Sequence, residues 1–444
     1  MKKEHIASRL AEYAKSDVVR LHMPGHKGKG KGEFSSIYGY DITELSFSDN
    51  LAKPEGIIAN AQNDIANILG AKKSYILTGG STLGIFVMVY AVRNLGKKLI
   101  VQRTSHKSVF NALELLGIEP IILADEIKDG LITGNFLNDE LFDCADNDGI
   151  GALLTSPDYF GRALDLKSIS LRLAKNNKLL LIDGAHGGHF AFENREIYAG
   201  SYADIWVDGA HKTLQTLTQG AVLNLNNLSL ISEVEKGLSI FSTTSPNYLI
   251  MASVESGVKR YAKNKKKLIK SFLSAKQLLV NELISLSFSI LKCDDVLKLT
   301  LKTPRDISGE KVGKLFEKKG IFAELVSEDY ILFMLSYDFN KNQAVRIVNA
   351  LKSVKANKIK NKERGANSCL PARKTSYLSA RSYCAEEVDL KEALGKICAE
   401  NVGVFPPCYP LITAGEVYSE EIINQLYVNN TFGINSGKVK VVKE

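Results

Sequence analysis

Ala203-Asp204-Ile205-Trp206-Val207-Asp208-Gly209-Ala210-His211-Lys212-Thr213-Leu214 is the stretch on which the reading of this chain turns. Ile205-Trp206-Val207, with the only tryptophan, is a short apolar run that stops at Asp208-Gly209 and places a lysine just beyond. Such a run, bounded by turn residues, reads as a buried strand. A lysine fixed after it stands on a rigid support. If desolvated there, its amine sheds a proton more readily and can attack a carbonyl. The plainer reading is a solvated loop lysine, as most lysines are. The rest of the chain has to decide between them.

Working outward, the same arrangement recurs. Ser74 to Thr78, Leu99 to Val101, Pro120 to Leu123, Ile150 to Thr155 and Leu179 to Ile182 are short apolar runs, most followed by a helical pattern. Continuous apolar strands alternating with helices mark a parallel sheet covered on both faces. The expected fold class is therefore α/β, with a doubly wound, mostly parallel sheet. In such sheets ligands bind beyond the C-terminal strand ends, where Thr78, Ser81, Thr82, His106, Ser156, Asp183 and Lys212 fall. Gly79-Gly80-Ser81-Thr82 between strand and helix suits a phosphate at a helix N-terminus, though an ordinary capped helix explains one hydroxyl. No Gly-Lys-Ser/Thr follows, so it is not a Walker A loop. Asp183, at the end of an all-apolar strand, is costly to bury unless a cation or donor meets it. A pyridinium nitrogen would, and so would a helix N-cap or an ion pair with Arg162 or His186. His106 alone reads equally as a polar loop or core histidine.

Composition limits the class. At 444 residues, 45% hydrophobic and 24% charged, the chain has the makeup of a soluble globular protein of two or three domains. No apolar run approaches a membrane span, and the N-terminus leads into an amphipathic segment, not a signal-peptide core. Much of the +8 charge lies in residues 263–267 and 355–364, a helix face and a linker without interleaved aromatics, so nucleic acid is not expected as a partner. Six cysteines without a Cys-x-x-Cys pair read as reduced thiols in a cytoplasmic protein, and no metal site is expected.

The ordered set His22-Met23-Pro24-Gly25-His26-Lys27, Gly80-Ser81-Thr82, His106-Lys107-Ser108, Thr155-Ser156-Pro157, Asp183-Gly184-Ala185-His186-Gly187, His211-Lys212-Thr213-Leu214 and Thr243-Thr244-Ser245-Pro246 resembles the fold-type I pyridoxal-phosphate enzymes. Within them (the aspartate aminotransferase-like group) it is most similar to the bacterial ornithine/lysine/arginine decarboxylase family, in its short form without a receiver-like domain. Ala399-Glu400, Phe405 to Leu411 and Gly415-Glu416 resemble that family's C-terminal motif. The resemblance implies pyridoxal 5'-phosphate as cofactor and decarboxylation of a basic L-amino acid (arginine, lysine or ornithine) to its amine and CO2. It implies Lys212 as the covalent anchor, Asp183 on the pyridine nitrogen, His106 stacked on one ring face with Ala185 on the other, and Gly80, Ser81 and Thr82 around the phosphate. His211 would lie against cofactor or substrate, and Ser156 and His186 near the ring. Thr244 and Ser245 would reach a phosphate across a homodimer interface. Two departures stand out: Gly184 where the family usually has an acidic residue, and Gly209-Ala210 where it often has a hydroxyl. Transamination on the same cofactor, with Arg373 or Arg381 holding a substrate carboxylate, and a non-catalytic cofactor-binding relative remain open.

The expected divisions are a helical segment at 1–20, a cofactor-binding large domain at 21–255, a linking helix and small α+β domain at 256–355, a mobile lysine-rich linker at 356–374 and a small C-terminal unit at 375–444. The long helix should begin near Ser253, and a helix is expected to start at Asp389.

Overall fold

The structure, a computed structural model, describes residues 5–123, 126–128, 131–133, 148–304, 307–354, 370–405, 408–428 and 430–443. Most of the expected linker, 356–369, and the Pro406-Pro407 pair lie outside them.

Seven strands form the main sheet: β1 (Lys73–Leu77), β2 (Lys98–Gln102), β3 (Glu119–Leu123), β4 (Gly149–Thr155), β5 (Leu179–Gly184), β6 (Ile205–Asp208) and β7 (Ala221–Leu225). Their spatial order is β1-β7-β6-β5-β4-β2-β3. β2 to β6 run parallel, while β7 is antiparallel to both β1 and β6. The exception has a chain-length cause. A parallel return needs a crossover helix, and between β6 and β7 there is just one helical turn, Ala210–Thr213. The fold is thus the expected mostly parallel α/β sheet. Strands β4 to β7 are buried along nearly their whole length, as two covered faces require.

The helix Gly80–Val92 runs directly on this sheet. Ile85, Val87, Met88, Val89, Ala91 and Val92 are all buried, so it is apolar nearly all round rather than along one stripe. Its first residues therefore end at the C-terminal edge of β1 with little freedom.

The chain divides into two compact units. The first comprises Met1–Ser156, Leu164–Arg260 and Ser368–Glu444, the second Pro157–Ala163 and Tyr261–Asn367. The division falls inside a long helix, Tyr248–Ser285, which starts before the expected Ser253. Lys263 to Lys267 are exposed on it. The second unit holds an antiparallel sheet of β8 (Ser289–Ile290), β9 (Lys298–Lys302), β10 (Leu325–Val326) and β11 (Tyr330–Met334), ordered β8-β9-β11-β10. With helices Gly309–Lys318 and Lys341–Lys352 it is an α+β unit.

Residues 375–443 have a small apolar cluster of their own around Cys398, Ile412, Tyr418 and Val441. Tyr377, Ala380 and Ala414, however, belong to the core of the large sheet. No α-helix starts at Asp389, which instead caps a short 3-10 turn. Ala385–Asp389 is a strand paired with Lys438–Val442, followed by a single 3-10 turn, Leu390–Ala393. Glu387 faces Lys440 and Asp389 faces Lys438 across that ladder, and such opposite-charge pairs favour the strand over the helix. The local sequence could not show the partner strand about fifty residues on.

Candidate active site

Three neighbouring strands, β4, β5 and β6, and the helix after β1 bring the sequence-singled residues to one edge of the sheet. At β6 the chain turns sharply. His211 N–H donates to Gly220 O at 3.0 Å, and Lys212 N–H to Gly209 O at 2.9 Å, closing the turn that carries the lysine. His211 Nδ1 also lies 2.9 Å from Gly220 O, which makes it the protonated ring nitrogen. Burial lowers the His211 pKa; the Gly220 carbonyl opposes this and the Lys212 charge adds to it.

Lys212 is exposed, but its amine has a neighbour. Its Nζ lies 3.1 Å from His186 Nε2. His186, 8% exposed, stands on the loop after β5. Asp183, 2% exposed, ends the apolar part of β5. Its Oδ1 accepts from Ala185 N–H at 3.1 Å, and its carbonyl accepts from Ser156 N–H at 3.1 Å, tying β4 to β5 beside the site. A nearly buried carboxylate with one neutral donor calls for a cationic or N–H partner. Ser156, 1% exposed, is itself held: its Oγ accepts from Leu164 N–H at 3.2 Å.

His106 is the N-cap of helix Lys107–Leu116. Its Nδ1 accepts from Ser108 N–H at 3.2 Å and lies 2.8 Å from Ser108 Oγ. The ring is therefore fixed in orientation, with its proton on Nε2. Burial lowers its pKa; the Asp183 charge opposes this, and Lys212 and Lys107 reinforce it. His106, Asp183 and Lys212 thus share one electrostatic neighbourhood.

At the start of helix Gly80–Val92, Gly80 adopts φ +69 and its N–H is already engaged by Gln219 O at 2.8 Å. Ser81 Oγ is buried with no hydrogen-bond partner among the described residues, and Thr82 is exposed on the same turn. A buried hydroxyl beside helix N-terminal N–H groups has the chemistry of an anion cradle. Thr244 and Ser245 are exposed in the turn before helix Tyr248–Ser285, and no hydrogen bond joins them to these residues.

Arg373 and Arg381 are both committed elsewhere. Arg373 donates to Ala414 O at 2.8 Å and Thr413 Oγ1 at 2.7 Å and pairs with Glu416 at 3.4 Å. Arg381 pairs with Glu114 at 2.7 Å and donates to Ala399 O at 3.0 Å. Sequence reasoning passed over Asp208, although it ends an apolar strand just as Asp183 does, and over Gln219 and Gly220, whose carbonyls clamp Gly80 and His211.

This fold, with its lysine turn and strand-end carboxylate, is that of the fold-type I pyridoxal-phosphate enzymes. The structure of Escherichia coli constitutive lysine decarboxylase superposes with a TM-score of 0.82 over 99% of this chain and 82% of that one, at 18% identity. A sequence profile of the Orn/Lys/Arg decarboxylase major domain matches residues 6–292, and the chain belongs to that family. Arginine decarboxylase of Bacillus subtilis (strain 168) is 31% identical over 96% of this chain and 93% of its own length. The uncharacterized protein YaaO of the same organism is 30% identical over 94% and 92%. Family and fold together imply pyridoxal phosphate as the cofactor.

Proposed function

We propose that the chain is a pyridoxal-phosphate-dependent decarboxylase of a basic L-amino acid, releasing CO2 and the corresponding amine. The observation that carries this is the meeting of Lys212, His186, Asp183 and His106 at the C-terminal edge of one parallel sheet. Arginine is the substrate named for the full-length relative from B. subtilis, and arginine is the first substrate to test.

The residues fit the cofactor. Ser81 Oγ, buried and without a partner among the described residues, would donate to the phosphate, with Thr82 and the helix N-terminus beside it. Gly80 would shape the turn rather than donate, because its N–H serves Gln219. Asp183 would hold the pyridine nitrogen, with the rings of His106 and His211, Ser156, Ala185 and His186 close by. Thr244 and Ser245 would reach the phosphate of a second copy. When bound, the cofactor supplies the electron sink for the bond that breaks.

The chain's own part can be stated in protons. Lys212 must be neutral to act as a nucleophile. His186 Nε2, 3.1 Å away, is placed to take or share its proton. The substrate exchanges its carboxylate for one proton, and the Lys212–His186 pair is the group positioned to deliver it. Asp183, buried with one neutral donor, favours a positive charge opposite it. His106, fixed by Ser108, keeps a neutral ring face available.

Transamination is disfavoured because Arg373 and Arg381 are engaged. A reduced cytoplasmic location and a homodimer complete the proposal. The test is incubation of the cofactor-loaded protein with arginine, lysine and ornithine, reading CO2 and amine by mass spectrometry. Agmatine, cadaverine or putrescine supports the proposal; amino transfer to a keto acid, or no turnover despite bound cofactor, sinks it.

A further inference from the structure

Two carboxylates are buried at strand ends in the first unit, and the scheme above uses one. The other, Asp208, closes β6 and is 0% exposed. Three donors converge on its Oδ2: Tyr198 OH at 2.8 Å, Trp206 Nε1 at 3.0 Å and Asn224 Nδ2 at 3.0 Å. Its Oδ1 is buried with no hydrogen-bond partner among the described residues. An oxygen that already accepts three hydrogen bonds has no room for a proton, so a proton on this carboxyl resides on Oδ1. Burial pushes the Asp208 pKa up to about 7, against the pull of Tyr198, Trp206, His189 and Asn224.

Three glycines seat the lysine turn and the His186 loop on this carboxyl. Gly184 is the ladder neighbour of Asp208, and a Cβ there would lie 3.3 Å from Oδ1 and 3.0 Å from Val207 O. A Cβ on Gly188 would lie 3.4 Å from Asp208 Cβ and 3.5 Å from Thr213 Oγ1. Thr213 Oγ1 is itself buried and without a partner among the described residues. A Cβ on Gly209 would meet Ala185 O at 2.4 Å. His186 rides on the first loop and Lys212 on the second. The ionisable groups facing Asp208 are Tyr198, from the turn before β6, and His189, from the His186 loop. Trp206 of β6 and Asn224 of β7 are neutral, and Arg195 acts on Tyr198.

We propose that Asp208 is a positioning residue: the proton on its Oδ1 sets how the Gly184–His189 loop presents His186 to Lys212. Ionised, Oδ1 attracts a donor; protonated, it donates instead. The two arrangements seat the loop differently on the lysine turn. The inference rests on Lys212 being the cofactor lysine, but it can be read without cofactor.

The experiment follows the His186 ring by 15N NMR in the cofactor-free protein, with its signal assigned by loss in His186→Asn. In the natural protein the His186 titration should show a second inflection near pH 7, the Asp208 value, and Asp208→Asn should abolish it. In the loaded enzyme the same variant should remove that inflection from the kcat profile while leaving KM within about twofold. An unchanged His186 titration and kcat profile in Asp208→Asn, with only a lower melting temperature, overturns the proposal. If Asp208→Asn does not fold, Tyr198→Phe, which removes one donor to Oδ2, should move the inflection to higher pH; an unmoved inflection overturns it. Loss of the visible cofactor band in Lys212→Ala tests the decarboxylase reading separately, so either can fail alone.

Discussion

Lys212 carries the proposed chemistry on one contact. Its side chain is exposed, yet its amine meets His186 at 3.1 Å, the contact on which the proposed role rests. Lys212→Ala should therefore abolish the visible absorbance of the loaded protein and lower kcat/KM by several orders of magnitude, with a melting temperature in the cofactor-free state close to that of the natural chain. Asp183→Ala should weaken catalysis by about a hundredfold or more, the scale of losing one preorganised electrostatic group, as measured by amine formation. The histidines give a pH prediction. Burial lowers the folded-state pKa of both His106 and His211. Their contribution to stability is thus fully present above the ordinary histidine value, near 6.5, and is lost as pH falls toward the folded values. Melting temperature should drop between pH 7.5 and 5.5, and His106→Gln with His211→Gln should flatten that slope. Asp208 acts in the opposite sense. Its raised pKa means its contribution is present at low pH and lost as pH rises through about 7.

Among the elements, the turn after β6 shows why a family pattern can thin without the site dissolving. A side chain at 209 would meet Ala185 O at 2.4 Å and Ser81 Oγ at 2.9 Å. The Ser81 hydroxyl already stands where a 209 side chain would go. Gly209→Ser should cost about 1–3 kcal/mol, as overpacking does, and weaken cofactor retention, both readable by melting with and without pyridoxal phosphate. A second element-scale test concerns the C-terminal segment. Arg103, at the end of β2, grips Glu416 through both guanidinium nitrogens at 2.9 and 2.6 Å, with both side chains nearly buried. Thr413 N–H adds a bond at 2.8 Å. Glu416→Ala should cost about 3–5 kcal/mol, the usual penalty for breaking one side of a buried pair, and should be visible in urea unfolding.

At the scale of the molecule, the exposed apolar side chains concentrate near the N-terminus. Val19, Leu21, Met23 and Phe34 are 86%, 88%, 63% and 63% exposed. Exposed apolar side chains this close in sequence suit an interaction surface, and a second copy of the chain is the partner that the proposed homodimer would bring. Light scattering should give twice the 48.8 kDa chain mass, and Leu21→Asp with Met23→Asp should shift it toward monomer. The sequence by itself determined the α/β class, since continuous apolar runs at β2, β4 and β5 suit a sheet covered on both faces. It also determined the order of chemistry-bearing residues at strand ends, since each follows a run that must be buried. Only the tertiary structure decided what depends on distant partners. The strand at Ala385–Asp389 needed Lys438–Val442, the engagement of Arg373 and Arg381 needed Glu416 and Glu114, and the donors on Asp208 come from Tyr198 and Asn224. The physical reason is the same in each case. Burial periodicity is a local property of the chain, whereas hydrogen-bond and charge satisfaction is fixed by whichever groups the folded chain brings alongside.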